Sequence, residues 1–298
     1  MFGKLFFYLN QNLGKVFFGN PNSLYYNIFS KYHQNLISKK DRSDDQVKKY
    51  VNDGYFRTNV NSYELCNDIA KSLYKQKIDY NRAQFQFEID DDLKHKIRSH
   101  INIEFKDTLN KIENFYNSKV AVAKVRIARN FHINNVGDEV YSNNYHVDHY
   151  TYNHFKLFIN LMDVDICHGP LHLYSKNSTK KFLKKNKYKS RSNYNNEELE
   201  NDLVTNTGKK GQSMIVNTTQ CLHKAGFVEK GFYRDILFVT FITIPEKVST
   251  DDFFYYEKFF KNTIWNTYDT SEILKIAKPK SLKKTISLFF KYYKNRIN

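Results

Sequence analysis

Apolar residues recur along this chain at two periods, and the switch between them separates helical from extended segments. From Gln46 to Asn52 the spacing predicts a helix that stops at Gly54, followed by a strand over Tyr55–Val60. Ser62 is placed to cap a further helix in which Leu65, Ile69 and Leu73 share one face. Between Leu93 and Asn117, Ile97, Ile101, Phe105, Leu109, Ile112 and Phe115 recur at intervals of three or four. That pattern predicts one long amphipathic helix with a core-facing stripe. Near Val120 the period falls toward two, so Val120–Arg129 reads as a strand. Further strands are predicted at Lys156–Met162, Leu171–Tyr174, Ser213–Asn217 and Ile236–Thr243.

The remaining stretches lack that regularity. Lys180–Thr207 is polar and rich in Asn and Ser, and reads as an insertion suited to a lid over a site. Residues 1–44 set aromatic pairs such as Phe6-Phe7 and Phe17-Phe18 among Lys and Asn, an N-terminal helical extension. Beyond Pro245 the aromatic pairs return. Lys278–Asn298 then scatters Leu282, Ile286, Phe289 and Phe290 among basic residues, a tail able to lie on anionic lipid or to pack on the domain. The expected organisation is an extension over 1–44, a main domain over 45–245 with the 180–207 insertion, and a basic helical extension over 246–298.

Composition narrows the classes. A chain of 298 residues that is 41% hydrophobic supports one substantial core. Four prolines and ten glycines exclude collagenous or linker-rich architecture. The net charge of +16 invites an anionic partner, but Lys is spread along the whole chain and no nucleic-acid-binding motif accompanies it. Three scattered cysteines exclude a disulfide framework and predict a reducing, cytoplasmic setting. No apolar run reaches the ~18 residues of a spanning helix, and Met1–Asn10 lacks the features of a signal peptide.

The chemistry concentrates in Tyr145-His146-Val147-Asp148-His149 and, far downstream, Cys221-Leu222-His223. On an extended strand, residues two apart point to one side, so His146 and Asp148 can reach one metal together. With His223 arriving from another strand they supply a 2-His-1-carboxylate triad, which holds non-haem Fe(II) and leaves positions open opposite. His149, His154, His168 and His172 are rival imidazoles. Arg234, planar and permanently charged, suits a small dicarboxylate.

The order of these features resembles the phytanoyl-CoA dioxygenase family of Fe(II)/2-oxoglutarate-dependent oxygenases over roughly residues 45–245. The resemblance is carried by Val47–Val60 with Asp53-Gly54-Tyr55, by His146-Val147-Asp148, and by Phe158–Val164 with Gly169-Pro170-Leu171. Gly211–Gly226 followed by Arg234 completes it. The chain departs from the family pattern at Tyr174-Ser175-Lys176-Asn177, where relatives carry a Pro-Gly-Ser-His turn. The resemblance implies a double-stranded β-helix (a cupin-like jelly roll), hence an α+β chain with a mainly β core and flanking N- and C-terminal helices. It implies Fe(II) on His146, Asp148 and His223 as the catalytic centre, with 2-oxoglutarate and O2 as co-substrates and Arg234 on the far carboxylate. Thr151, Tyr152 and Arg126 are further candidates to touch 2-oxoglutarate, each with an ordinary packing or surface reading beside it. The implied reaction hydroxylates a small organic or lipid-like substrate, with an anionic one suggested by the basic composition, and releases succinate and CO2.

Two other classes fit part of the same pattern. One is a catalytically silent jelly-roll binding protein, and the other a basic, peripherally membrane- or nucleic-acid-associated protein. An intact triad together with Arg234 favours the enzyme, because a binding module needs no such set.

Overall fold

The computed structural model of the chain describes residues 44–80, 82–116, 119–134, 141–148, 154–185, 202–244 and 252–254. The expected helices before residue 44, the basic tail after residue 254, and most of the 180–207 insertion lie outside the described residues. The chain opens with α1 (Asp45–Asp53), β1 (Tyr55–Arg57), α2 (Tyr63–Leu73), β2 (Gln84–Gln86), α3 (Asp91–Glu104), α4 (Lys106–Tyr116) and β3 (Lys119–Phe131). It continues with β4 (His154–Asn160), a 3-10 turn at Ile166–His168, β5 (Leu171–Tyr174) and α5 (Lys176–Lys185). The last described elements are β6 (Leu203–Thr205), β7 (Ser213–Val216), β8 (His223–Ala225) and β9 (Tyr233–Ile244).

These elements make an α+β fold with two antiparallel sheets. The larger has six strands in the order β1-β7-β4-β9-β3-β2, and the smaller has three in the order β6-β5-β8. Helices α2, α3 and α4 cover one face of the large sheet. Ile69, Ile97, Ile101, Phe105 and Leu109 are wholly buried there against Val125, Phe155, Leu157, Val239 and Phe241. Burying one such side chain contributes roughly 1.5–3 kcal/mol, so this layer is what holds the sheet rigid for the site on its other face. Phe253 and Phe254, beyond the expected boundary at residue 245, are buried in the same core. Among the described residues no helix is long and apolar enough to cross a membrane.

Two local readings are corrected. The predicted long helix is two, broken at Phe105 between α3 and α4, although no proline or glycine marks the break. The apolar stripe runs through it unchanged, so sequence periodicity carries no signal of the bend. Ser62 precedes α2 but makes no side-chain cap, because its hydroxyl is 2.8 Å from His100 Nε2 instead. The described ends of the 180–207 stretch are the second half of α5, which buries Phe182, and β6, paired with β5. A mostly polar helix docked by one aromatic leaves little hydrophobic signature.

Two local devices position the site. Asp44 caps α1 by accepting from Gln46 N and Val47 N, and Gly54 ends it with φ +83. A Cβ at Gly54 would lie 2.5 Å from Cys221 Sγ, so only glycine lets this corner lie against the segment leading to His223. The second device is a register shift in β3 between Val122 and Lys124. Val120 and Val122 face the helices before it, Val125 and Ile127 after it. The extra residue reverses the alternation and turns Lys124 and Arg126 to the opposite face.

Candidate metal centre

His146 and His223 face each other across an isolated antiparallel bridge, with reciprocal backbone hydrogen bonds of 3.0 and 2.9 Å. Side chains at a directly opposed pair project to the same side, and the two imidazole centroids are 4.4 Å apart. Asp148, two residues on from His146, is fixed by its backbone N–H to Thr218 O at 2.8 Å. Residues from two distant segments therefore meet through the ladder itself.

The protons on these groups point away from the centre. His146 Nδ1 lies 2.8 Å from Asn144 O, and His223 Nδ1 lies 2.9 Å from Cys221 O. A carbonyl can only accept, so each Nδ1 carries the hydrogen and each Nε2 presents its lone pair. Those Nε2 atoms stand 3.8 Å from Asp148 Oδ1 and 3.9 Å from Asp148 Oδ2. Such distances are too long for hydrogen bonds and suit donors arranged around an ion. One donor atom from each of the three residues lies within 4.8 Å of the others. Both histidines are only 4% exposed. The donor set fits a mixed nitrogen–oxygen metal centre.

The three residues line a cavity of about 210 Å3 whose wall also includes Arg126, Lys156 and Arg234. Phe158, Leu171, Ile236 and Phe238 supply its apolar sides. Arg234, near the start of β9, is 4% exposed, and its guanidinium donates to Gly169 O. Its Nε has no hydrogen-bond partner, and no carboxylate pairs with it among the described residues. Burial pulls its pKa down to about 10, against a smaller opposing effect from Tyr141, so it is a cation at neutral pH. Gly169, with φ +63, reaches Arg234 because it packs directly on the next turn. A Cβ there would sit 2.6 Å from Gly226 O. Gly169-Pro170-Leu171 and the end of Gly211–Gly226, both part of the sequence resemblance, are thus two halves of one contact that seats the arginine.

Five of the seven sequence-predicted site residues, His146, Asp148, His223, Arg234 and Arg126, line this single cavity. Thr151 and Tyr152 lie outside the described residues, as do His149 and the side chain of His154. The other rival imidazoles do not join the centre. His168 Nδ1 is 2.7 Å from Asp165 Oδ1 in the turn before β5. His172 is held neutral, its pKa pulled down to about 4 by burial and then by Lys224 and Arg234. Sequence reasoning missed Lys156, whose Nζ lies 2.6 Å from Asp148 Oδ2. Its only signal was a lone cation in the apolar run Phe155–Ile159. Lys124, on the same face, is also buried, which pulls its pKa down to about 7 with help from Arg126 and Lys156.

No protein-family model matches the sequence, and no curated protein matches it. Solved structures do. EctD from S. alaskensis, with 2-oxoglutarate and 5-hydroxyectoine, is 14% identical over 76% of this chain and 88% of that one, with a TM-score of 0.48. The epimerase SnoN, with Fe3+, alpha ketoglutarate and nogalamycin RO, is 12% identical over 71% and 88%, with a TM-score of 0.47. HygX from Streptomyces hygroscopicus, with nickel, 2-oxoglutarate and hygromycin B, is 12% identical over 67% and 87%, with a TM-score of 0.43. All three were crystallised with 2-oxoglutarate.

Proposed function

We propose that this protein is a non-haem Fe(II)/2-oxoglutarate-dependent oxygenase of the phytanoyl-CoA dioxygenase type, that its two sheets form a jelly roll, and that it hydroxylates a small organic substrate. The observation that carries this reading is Arg234. It is a buried guanidinium, with no carboxylate partner among the described residues, in the wall that also holds His146, Asp148 and His223. A buried charge requires a counter-charge, and a small dicarboxylate spanning from the arginine to a metal supplies one.

In this reading His146, Asp148 and His223 hold the iron through Nε2, a carboxylate oxygen and Nε2. When bound, iron and 2-oxoglutarate supply the oxidising chemistry with dioxygen that converts a substrate C–H to C–OH and yields succinate and CO2. The chain's own work is positioning. Asn144 O and Cys221 O fix the imidazole tautomers, Arg234 orients the co-substrate, and Phe158, Ile236 and Phe238 keep the cavity poor in water.

Anaerobic titration of the protein with Fe(II) and 2-oxoglutarate, followed by succinate release in air, tests the reading. One iron per chain and iron-dependent succinate are expected. Arg234→Ala should raise the 2-oxoglutarate requirement by about a hundredfold, as for a lost charged hydrogen-bonding partner of ~3 kcal/mol. Iron that does not bind, or an unchanged 2-oxoglutarate requirement in that variant, overturns the assignment. A second reading, a binding protein without catalysis, draws on one contact, the ion pair in which Lys156 supplies Asp148 with a counter-charge. Absence of iron binding in the same titration would select it.

A further inference from the structure

We infer that Lys156 is a positioning residue that limits Asp148 to one metal-ligating oxygen and thereby keeps an additional position open at the metal. This rests on the metal-centre reading above. The Asp148 carboxylate addresses both imidazoles, Oδ1 lying 3.8 Å from His146 Nε2 and Oδ2 lying 3.9 Å from His223 Nε2. By that geometry alone both oxygens are available to an ion between the rings. The Lys156 ammonium, however, lies 2.6 Å from Oδ2. A divalent cation and an ammonium on the same oxygen repel at short range, and this pair is weakly screened because the two side chains are only 12% and 11% exposed. Oδ1 is the oxygen left for the metal.

Lys156 has little freedom to withdraw. Its backbone is on β4, hydrogen-bonded on both sides to β7 and β9, with Val216 and Thr240 as its register partners. Phe155 and Leu157 on either side are wholly buried in the helix-facing core, which fixes the direction in which Lys156 projects. Lys124, which shares Thr240 as a register partner on the same face of the sheet, repels it. Asp148 is thus the acid that the ammonium meets in this cavity among the described residues.

The consequence is chemical. A carboxylate binding through both oxygens would occupy a position that a chelating keto acid and dioxygen need together, whereas a one-oxygen ligand leaves it free. The ammonium also weakens the hold on any divalent ion.

The test uses Mn(II) as probe on the full chain without co-substrate. Electron paramagnetic resonance with 17O-labelled water counts the waters on the bound ion, and free Mn(II) gives its affinity. For an octahedral ion, wild type should retain about three waters. Lys156→Met should retain about two and bind Mn(II) on the order of tenfold more tightly, from loss of a neighbouring charge. Lys156→Arg, which keeps the charge, should restore the wild-type count. Two waters in wild type, or identical counts in wild type and Lys156→Met, overturns the inference while leaving the metal centre standing. If His146→Ala binds Mn(II) as wild type does, the centre itself is wrong and the inference falls with it.

Discussion

Asp148 is ordered by two independent constraints, its backbone bond to Thr218 O and its ion pair with Lys156. The spacing of His146 and Asp148, and the charge of Arg234, were legible in the sequence because ligand chemistry dictates residue type and strand geometry dictates a separation of two. Lys156 was not legible as a partner, since a lysine in an apolar strand says nothing about which acid lies across the cavity. His172 makes stability depend on pH. Its folded pKa, about 4, lies below the ~6.5 of an unfolded histidine. Between those values the unfolded chain takes up a proton that the folded one refuses. The stabilisation is therefore full above pH ~6.5 and is lost as pH falls toward 4, at up to ~1.4 kcal/mol per pH unit. Thermal melts of wild type and His172→Gln across that window should differ in slope, the variant being flatter. Parallel slopes would refute the assignment.

At the level of elements, the helices and long strands followed from periodicity, and their buried stripes match the expected residues from Leu65 to Ile112. The elements that escaped were short or mostly polar. β2 and β6 each have three residues, too few for a period to register, and each exists because a neighbouring strand pairs with it, while α5 is too polar to leave an apolar stripe. The register shift in β3 was equally silent, yet it decides that Arg126 faces the cavity and not the helices. The turn at Gly169 joins element to site. Gly169→Ala would force a Cβ to 2.6 Å from Gly226 O at a φ that side chains rarely adopt. A loss of roughly 1–3 kcal/mol is expected from the strain, measurable by urea denaturation. A raised 2-oxoglutarate requirement should accompany it, because the carbonyl that seats Arg234 moves. Wild-type stability and co-substrate dependence in that variant would show the contact to be dispensable.

For the whole molecule, the centre is built from segments that only the fold brings together, so metal binding and folding should be linked. Mn(II) at a hundredfold over its dissociation constant should stabilise the protein by about 2.7 kcal/mol, seen as a rise in Tm that a chelator reverses and that Asp148→Ala lacks. An unchanged Tm would mean that the ion binds the unfolded chain equally or not at all. The +16 charge looked like a uniform bias in the sequence, but the sheet sets Lys124, Arg126, Lys156 and Arg234 on one face, and the last three line the cavity that, among the described residues, holds Asp148 as its one acid. By itself the sequence determined the α+β make-up, the helical stripes and the identities of the candidate metal donors, because these depend on local periodicity and on the chemistry of single side chains. Tertiary structure alone decided that His223 bridges to His146, that Lys156 meets Asp148, and that Arg234 is buried with no carboxylate partner among the described residues. Those facts arise from strand pairing and register between segments far apart in the chain, and no local pattern of residues encodes which strands will meet.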